Sequence, residues 1–332
     1  MTKKTTDWDS NVESTIINDQ VTRTNETIEM YRYRVKGIIK QASKDGFVND
    51  SINPNPKEIA YWLISKKSNY CAATYRQYRA AIQMWLGEIT HPDGPAAIDL
   101  LNTVNTVPYL KRHLSARTSA TKEKKFSDAD RQAIINWLND HHTRYSAVLC
   151  GFLRIGATIG LRPCEFKNAR VVMNENSGYE LRVGNAKATN GRANGDFRTL
   201  LLDDLPDEMI DIIVQFIMTI RKLDKFGEWK RLYNGCRKTL YRASRDLWPN
   251  RKKYPTLYSL RHQFSADAKS AGRTTVEVAA LMGHASAETA TAHYGKKRYG
   301  RKSCAVQPSH NDLSRLASQS ELFQPGINWS KP

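Results

Sequence analysis

The chain has 332 residues, of which 40% are hydrophobic, so it is long enough for two ordinary domains and too apolar for wholesale disorder. Lys and Arg number 51 against 33 Asp and Glu, and the formal net charge of +18 predicts a polyanionic partner, most simply nucleic acid. No run approaches the roughly 18 apolar residues of a membrane-spanning helix, so we expect no membrane partner.

The N-terminal third predicts a small helical domain. Residues 1–24 are polar and are expected to form a flexible segment. From Thr27 onward apolar residues recur at helical spacing, a second helix is predicted from about Pro56, and a third from about Thr74. Residues 25–115 therefore form the first predicted domain.

Two groups of basic residues in this part of the chain are candidates for binding nucleic-acid phosphates. The stretch 111–125, KRHLSARTSATKEKK, holds six basic residues and one acidic residue, and we assign 116–126 as a basic linker. Such a segment suits either a strap along a phosphate backbone or a flexible tether whose charge only aids solubility. The candidate phosphate ligands are Arg76 and Arg79, which lie off the apolar stripe of the third helix, and Lys122, Lys124 and Lys125 in the linker.

A second domain is predicted over residues 127–302, and it mixes helices with short strands. Ser127 opens a helix as a capping residue, and another apolar helix covers roughly residues 147–158. Period-two alternation and short apolar runs indicate strands near 170–173, 179–183 and 197–202. The predicted fold class is therefore α+β, mainly α with a small antiparallel β-sheet.

The remaining stretches are mostly helical. Residues 229–253 carry nine basic residues and one acidic residue, which makes them further candidates for phosphate contacts. Within the tail, residues 303–332, the apolar residues of 309–323 predict a short amphipathic helix.

Cysteines and nucleotide motifs indicate which cofactors to expect. The five cysteines are odd in number and far apart, and no CxxC or clustered Cys/His spacing occurs, so neither a disulfide framework nor a zinc site is expected. No GxxxxGK[ST] loop is present, and we expect no ATP, metal or other cofactor. The start, MTKKTTDWDS, lacks the apolar stretch of a secretory signal and predicts a cytoplasmic protein.

Four short stretches contain the residues with the clearest chemical potential. They are Gly160-Leu161-Arg162-Pro163-Cys164-Glu165, Lys187 in a polar loop between two predicted strands, Tyr258-Ser259-Leu260-Arg261-His262, and Gly283-His284 followed by His293-Tyr294-Gly295. Taken singly, each has a structural explanation, because an Arg at a helix end can cap carbonyls and a loop Lys is usually solvated. Their order and spacing together favour a shared function.

Together these residues resemble the tyrosine recombinase, or phage integrase, family, over about residues 127–298 and more weakly over 25–115. The family carries an Arg in a Gly-Leu-Arg-x-x-Glu turn, a Lys on a β-hairpin, a His-x-x-Arg pair, a Gly-His pair and a nucleophilic Tyr. The resemblance implies a helical core-binding domain that grips DNA and a catalytic domain after it. It assigns catalytic roles to Arg162, Lys187, Arg261, His284 and the nucleophile Tyr294. Glu165 is expected to support these side chains without contacting the substrate.

The sequence departs from the family pattern in two places. Tyr258 occupies the position of the first His, and the interval from Gly-His to the nucleophile is one residue longer than usual, which makes Tyr299 the alternative nucleophile. His262 cannot replace the missing imidazole, because neighbouring residues on a helix diverge by about 100°. Tyr258 could donate its hydroxyl to the same phosphate, but it cannot carry positive charge as His does.

The implied reaction explains why these residue types are needed. Two guanidiniums, on Arg162 and Arg261, would neutralise the charge that develops on the non-bridging phosphate oxygens. Tyr294 would hold the DNA covalently, and with an ordinary pKa of about 10 it needs neighbouring positive charge to lose its proton. Lys187 would protonate the leaving 5′-oxygen, and His284 would hydrogen-bond a non-bridging oxygen. Because bond energy is kept in the phosphotyrosine, no ATP is required.

The resemblance also implies a biological setting and leaves alternatives open. It implies a site-specific recombinase of double-stranded DNA that integrates or excises a mobile element, works as a tetramer with accessory DNA-bending proteins, and is nucleoid-associated in a prokaryote or phage. Lys296 joins the expected phosphate contacts. In the family a C-terminal helix commonly docks on the neighbouring protomer, and we expect the same of this tail; the alternative is that the tail packs on its own domain.

Three other functions remain possible on the sequence alone. A telomere resolvase and a type IB topoisomerase share the chemistry, and the topoisomerase would relax supercoils without site preference. A non-catalytic DNA-binding regulator derived from a recombinase is the third, and Tyr258 in place of His is its best support.

Overall fold

The computed structural model of the chain describes residues 16–17, 20–21, 24–104, 122–175, 178–186, 188, 193–286 and 295–322. The chain divides into two compact units, residues 1–121 and 122–332. That division lies inside the segment 116–126 assigned as a linker, while the remaining predicted domain boundaries stay predictions.

Two short strands precede the helices of the first unit. Strand β1 (Ile16–Ile17) pairs antiparallel with β2 (Gln20–Val21). The sequence analysis assigned residues 1–24 to a flexible segment and did not predict this pair. Ile and Val favour extended backbone, but strands of two residues are too short to produce a detectable alternation.

Helices make up most of the described part of the first unit. They are α1 (Asn25–Lys44), α2 (Pro56–Ser65), α3 (Ala72–Glu88) and α4 (Gly94–Thr103). The side chains of Thr24 and Asn55 cap α1 and α2 by accepting backbone N–H groups in the first turn. Trp62 is buried at the centre of the shared core, and its indole nitrogen donates to Asp45 Oδ2 at 2.8 Å.

The second unit alternates helices with a small sheet. In chain order it comprises α5 (Asp128–Asp140), α6 (Ser146–Ile159), a 3-10 helix (Pro163–Asn168), β3 (Ala169–Met173), β4 (Tyr179–Gly184), β5 (Phe197–Leu201), α7 (Asp207–Lys225), α8 (Trp229–Leu247), α9 (Leu257–Ser270), α10 (Thr275–Met282), a 3-10 turn (Lys297–Tyr299), β6 (Gln307–Pro308) and α11 (His310–Leu322). This architecture confirms the predicted α+β class. Within the described ranges, none of the helices combines the length and apolar character needed to cross a bilayer.

The sheet has the order β3-β4-β5-β6, and every neighbouring pair is antiparallel. Leu181 on the second strand lies opposite Val171 on one side and Leu200 on the other. Because side chains alternate along a strand, Leu200 and Arg198 share the buried face of β5 while Phe197 is exposed. The sheet therefore directs one charged side chain into the interior.

Helices α6 and α9 pack closely at the centre of the unit. A Cβ added at Gly156 would lie 2.7 Å from Cδ1 of Leu260, so the absence of a side chain at this position permits the close approach. Phe152 and Phe264 are also fully buried in the same core. This packing brings the end of α6 beside the first turns of α9.

The described part of the C-terminal tail packs on its own domain. Strand β6 pairs with β5, and Val306 and Leu316 belong to the buried core. The Asp312 carboxylate accepts the backbone N–H of Thr199 at 2.8 Å, which fixes the start of α11 against β5. The predicted amphipathic helix is thus present in this arrangement, and docking of the tail on a neighbouring protomer stays a prediction.

Candidate active site

Arg162 is positioned by the turn that ends α6. Gly160 ends that helix, and the 3-10 helix Pro163–Asn168 follows directly after Arg162. The Glu165 carboxylate accepts the backbone N–H of Arg162 at 2.8 Å and its Nη1 at 2.5 Å. The Gly-Leu-Arg-x-x-Glu motif is therefore a turn in which one carboxylate fixes both the backbone and the side chain of Arg162.

Arg261 enters the same region from α9. Its side chain is completely buried, and it donates to the carbonyl oxygens of Gly160 at 2.7 Å and Met282 at 2.5 Å. Its Nη1 also lies 3.6 Å from Oε2 of Glu165. Arg162 and Arg261, which are 99 residues apart in the sequence, therefore contact the same carboxylate.

His284 follows the end of α10 and contacts Arg261. Its backbone N–H donates to Ala279 O at 2.9 Å, and its Nε2 lies 3.3 Å from Arg261 Nη2. Because a guanidinium can only donate, Nε2 is the acceptor and the ring proton is on Nδ1. Burial and the charges of Arg261, Arg162 and Arg198 lower the pKa of His284 to about 2, so the ring is neutral at physiological pH.

The structure adds Arg198, which the sequence analysis missed. This side chain reaches inward from β5 and donates to Leu281 O at 3.0 Å, to Asn185 Oδ1 at 2.5 Å and to Glu165 Oε2 at 2.8 Å. A signal was present in the sequence, because Arg198, Leu200 and Leu202 alternate with period two. An Arg in phase with two core leucines predicts a buried charge with a buried partner.

Five side chains thus form one cluster, which we call the Glu165 cluster. It contains three guanidiniums, one carboxylate and a neutral imidazole, a net charge of +2 at neutral pH. Burial alone would raise the pKa of the Glu165 carboxyl, but the charges of Arg198, Arg261 and Arg162 outweigh burial and hold the pKa well below its usual range. The members of the cluster are Arg162, Glu165, Arg198, Arg261 and His284.

Tyr258 lies one turn before Arg261 on α9. It is half-buried, and its ring meets the ring of His262 edge to face at 5.3 Å between centroids. Burial, together with the charges of Lys124 and Arg261, lowers the pKa of His262 to about 4, so this imidazole is neutral as well. The predicted contact of Tyr258 with the phosphate stays a prediction.

Two of the predicted catalytic residues, Lys187 and Tyr294, lie outside the described residues. Their described neighbours are attached to the elements of the Glu165 cluster. The backbone N–H of Ala186 donates to Glu165 Oε1 at 3.2 Å. Gly295 is buried against α9, where an added Cβ would overlap the carbonyl oxygen of His262, and its own carbonyl accepts Lys269 Nζ at 3.1 Å.

The alternative nucleophile, Tyr299, is described. Its side chain is 40% exposed, and its hydroxyl accepts Arg298 Nη2 at 2.6 Å. Its backbone carbonyl accepts Gln263 Nε2 at 2.9 Å, which ties the 3-10 turn to α9.

The candidate phosphate ligands outside the cluster differ in their surroundings. Arg79 donates to the carbonyl oxygens of Leu101 and Val104 and so caps the end of α4, although these bonds are long, at 3.4 and 3.3 Å. The segment that carries the lysines of the linker is held by Ser259, whose hydroxyl donates to Glu123 O at 2.5 Å. The exposed members of the set are Arg76, Lys122, Lys124, Lys125 and Lys296.

Helix α8 presents a further basic surface. Its buried face includes Leu232, Cys236 and Leu240, whereas its arginines and lysines lie on the opposite, exposed face.

Over the residues that the structure describes, no three His, Cys, Asp or Glu side chains are grouped in a way that could hold a metal ion.

No protein-family model and no curated protein sequence matches this chain. Among solved structures, the chain is similar to XerA recombinase, with 13% identity, a TM-score of 0.34, and coverage of 92% of this chain and 94% of that one. It is also similar to XerH site-specific recombinase bound to difH substrate in a pre-cleavage complex, with 14% identity, a TM-score of 0.41 and coverage of 82% and 76%. For XerH site-specific recombinase bound to palindromic difH substrate in a post-cleavage complex, the identity is 13% and the TM-score is 0.43. That match covers 89% of this chain and 79% of the XerH chain.

Proposed function

We propose that the chain is a site-specific DNA recombinase of the tyrosine recombinase type. The observation that carries the proposal is the Glu165 cluster, in which Arg162 and Arg261 come together from distant parts of the sequence on one carboxylate. A buried site with a net positive charge is suited to a phosphodiester, whose transition state gathers negative charge on the non-bridging oxygens. The proposed partner is double-stranded DNA, in line with the net charge of +18.

In the proposed reaction, Tyr294 loses its hydroxyl proton to solvent, and the resulting phenolate attacks the scissile phosphorus and forms a phosphotyrosine bond to the 3′ end of the strand. The bond from phosphorus to the 5′-oxygen breaks, and Lys187 gives a proton to that oxygen so that it leaves as a hydroxyl. Rejoining is the reverse: a 5′-hydroxyl gives its proton to Lys187 and attacks the phosphotyrosine, and Tyr294 leaves as a phenolate that solvent reprotonates. Neutral His284 hydrogen-bonds the phosphate without adding charge.

Tyr258 takes the place of an imidazole in this proposal. Tyr258 lies one turn before Arg261 on the same helix, a spacing at which two residues share one face of a helix. A phenol donates a hydrogen bond, as a protonated imidazole does, but it contributes no charge. We therefore assign Tyr258 to orienting the phosphate and not to proton transfer.

The assembly and the biological role extend the same proposal. We assign the chain to a tetramer on paired DNA sites, to a mobile element that it integrates or excises, and to the cytoplasm of a prokaryote. The phosphate contacts would come from the basic face of α8 and from the lysines near residues 122–125 and 296.

The second candidate function is a DNA-binding regulator without catalysis. It is favoured by Tyr258, which replaces a residue that most enzymes of the type use, and by nothing in the Glu165 cluster itself. A protein that only binds DNA gains nothing from three buried guanidiniums, because buried charges are costly and make no contact along the outer face of a duplex.

A covalent-adduct assay separates the two candidates. Duplexes tiled across the DNA that adjoins the coding sequence are each nicked on the 3′ side of the tested phosphates, so that the short 5′-hydroxyl strand is lost after cleavage. We expect an adduct that survives denaturation with the wild-type chain and with Tyr299→Phe, and none with Tyr294→Phe. Gel shifts at low salt show that each variant still binds DNA.

The contrary outcomes are distinct. Duplexes that shift on the gel but never give an adduct would favour the regulator. An adduct lost in Tyr299→Phe and kept in Tyr294→Phe would move the nucleophile. Equal relaxation of plasmids with and without the recovered site would indicate a topoisomerase.

A further inference from the structure

Arg198 is a buried charge for which the proposed reaction has no use. All three of its hydrogen bonds go to acceptors inside the protein, on three different elements: Leu281 on α10, Asn185 beyond β4, and Glu165 in the turn after α6. The residue is 1% exposed. Taking an ion out of water is costly, so a side chain held in this way needs a compensating role.

The role of Arg198 can be inferred from the contacts of the Glu165 carboxylate. Its Oε2 accepts Arg198 Nη2 at 2.8 Å, whereas Arg261 Nη1 stands off at 3.6 Å, beyond hydrogen-bond distance. Arg261 donates hydrogen bonds to the carbonyl oxygens of Gly160 and Met282 and to the His284 ring. Arg198 therefore makes the closer contact with Oε2, and Arg261 lies in the same ion-pair group at the longer distance.

Charge balance points the same way. One carboxylate shared by Arg162 and Arg261 alone would leave a net charge of +1, and the third guanidinium raises it to +2. The neutral ring of His284 does not alter this balance. The larger positive charge would act on the scissile phosphate, which carries one negative charge before the reaction and more in the transition state.

We propose that Arg198 is a positioning residue that shares the Glu165 carboxylate, so that Arg162 and Arg261 keep a net positive charge directed at the scissile phosphate. The inference rests on the proposed function. Arg198 never touches the DNA; it acts through Glu165 by satisfying Oε2. Its bond to Asn185 also ties the base of the β4–β5 hairpin to the cluster, since Asn185 Nδ2 donates to Asn194 O at 3.1 Å and Gly195 O at 2.9 Å.

The test compares cleavage of a recovered target duplex with cleavage of the same duplex carrying a neutral methylphosphonate at the scissile position. Arg198→Met is expected to slow single-turnover cleavage of the phosphodiester about 30-fold, less than the roughly 100- to 1,000-fold loss typical of removing a direct donor. With the neutral methylphosphonate the loss should be several times smaller. Arg198→Lys should recover part of the phosphodiester rate. The matched control is Arg182→Met, an exposed arginine on the neighbouring strand, which should cleave like wild type.

A double variant decides between charge and structure. Arg198→Met with Glu165→Gln restores the net charge of +2 and leaves no buried carboxylate short of a partner. We expect the double variant to cleave the phosphodiester faster than Arg198→Met alone. If Arg198→Met does not fold, the double variant is compared with wild type, and its cleavage rate should lie within about tenfold of the wild-type rate. Removing a direct donor would instead cost roughly 100-fold.

Other results would overturn the inference without touching the proposed function. A double variant slower than Arg198→Met, or equal losses on charged and neutral substrates, would make Arg198 merely structural. Failure of the wild-type chain to form any adduct on the tiled duplexes would instead overturn the proposed function itself.

Discussion

Replacing Gly283 with Ala tests how tightly the end of α10 is built against the Glu165 cluster. Gly283 has φ +60°, and a Cβ at this position would overlap Asn185 Oδ1 and lie 2.9 Å from Arg198 Nη1. Both neighbours are buried and hydrogen-bonded to each other, so they cannot move aside without breaking the bond between them. The substitution should therefore displace the residue that follows, His284.

The expected loss of stability has two parts. An L-residue in the left-handed region costs about 1–2 kcal/mol, and forcing extra atoms into a packed interior costs about 1–3 kcal/mol. Gly227→Ala is the matched control, because Gly227 has φ +68° but no atom within 4 Å of its added Cβ. We expect about 1–2 kcal/mol for Gly227→Ala from backbone strain alone, and about 2–5 kcal/mol for Gly283→Ala.

Calorimetry of the full chain measures both. A loss of 1 kcal/mol lowers Tm by about 2–4 °C in a domain of this size, and the two units of the chain require each transition to be fitted separately. The adduct assay should show slower cleavage only for Gly283→Ala. Equal Tm shifts in the two variants would refute the close packing of Gly283 on Asn185 and Arg198.

Three further results are expected. Stability should fall as the pH is lowered from about 6.5 towards 4, because the pKa of His262 is lowered to about 4 in the folded chain. In this pH range the unfolded chain takes up a proton at His262 that the folded chain does not. His262→Gln should therefore flatten part of the profile of Tm against pH. Leu316→Ala should cost about 2–5 kcal/mol in urea unfolding, since this side chain anchors α11 in the core; a loss near zero would mean that α11 is not docked. DNA affinity should fall steeply between low and moderate salt in gel shifts, and an affinity that stays constant would contradict binding through phosphates.

Elements with a long apolar repeat could be predicted from the sequence, and short or closely packed ones could not. The periodicity that begins near Thr27 and Pro56 predicted α1 and α2, and both begin within two residues of the expected start. Helix α4, which is ten residues long, was missed. Pro95 lies in its first turn, and proline is a residue type that commonly indicates a break in a helix. Strand β6 was missed because it has two residues, one of them proline.

The same contrast holds for the site. The motifs that contain Arg162 and Arg261 lie on separate elements, and their spacing led us to expect them together; the shared Glu165 carboxylate bears out the proximity, while their catalytic roles stay predictions. Arg198 has no motif around it, and its partners come from three elements that only the fold brings together. A buried charge is identified by its partners, and long-range partners leave almost no local trace.

The pairing of β6 with β5 constrains how the chain reaches its final form. Leu200 lies opposite Pro308, and the helices α7 to α10 are all synthesised between these two residues. Until β6 leaves the ribosome, the hydrogen-bonding groups along the outer side of β5 have no strand to pair with, and such edges invite association between chains. A contact this distant in sequence also forms slowly. A nascent or prematurely terminated chain would therefore be prone to association through the open edge of β5 until residues 307–308 have been synthesised.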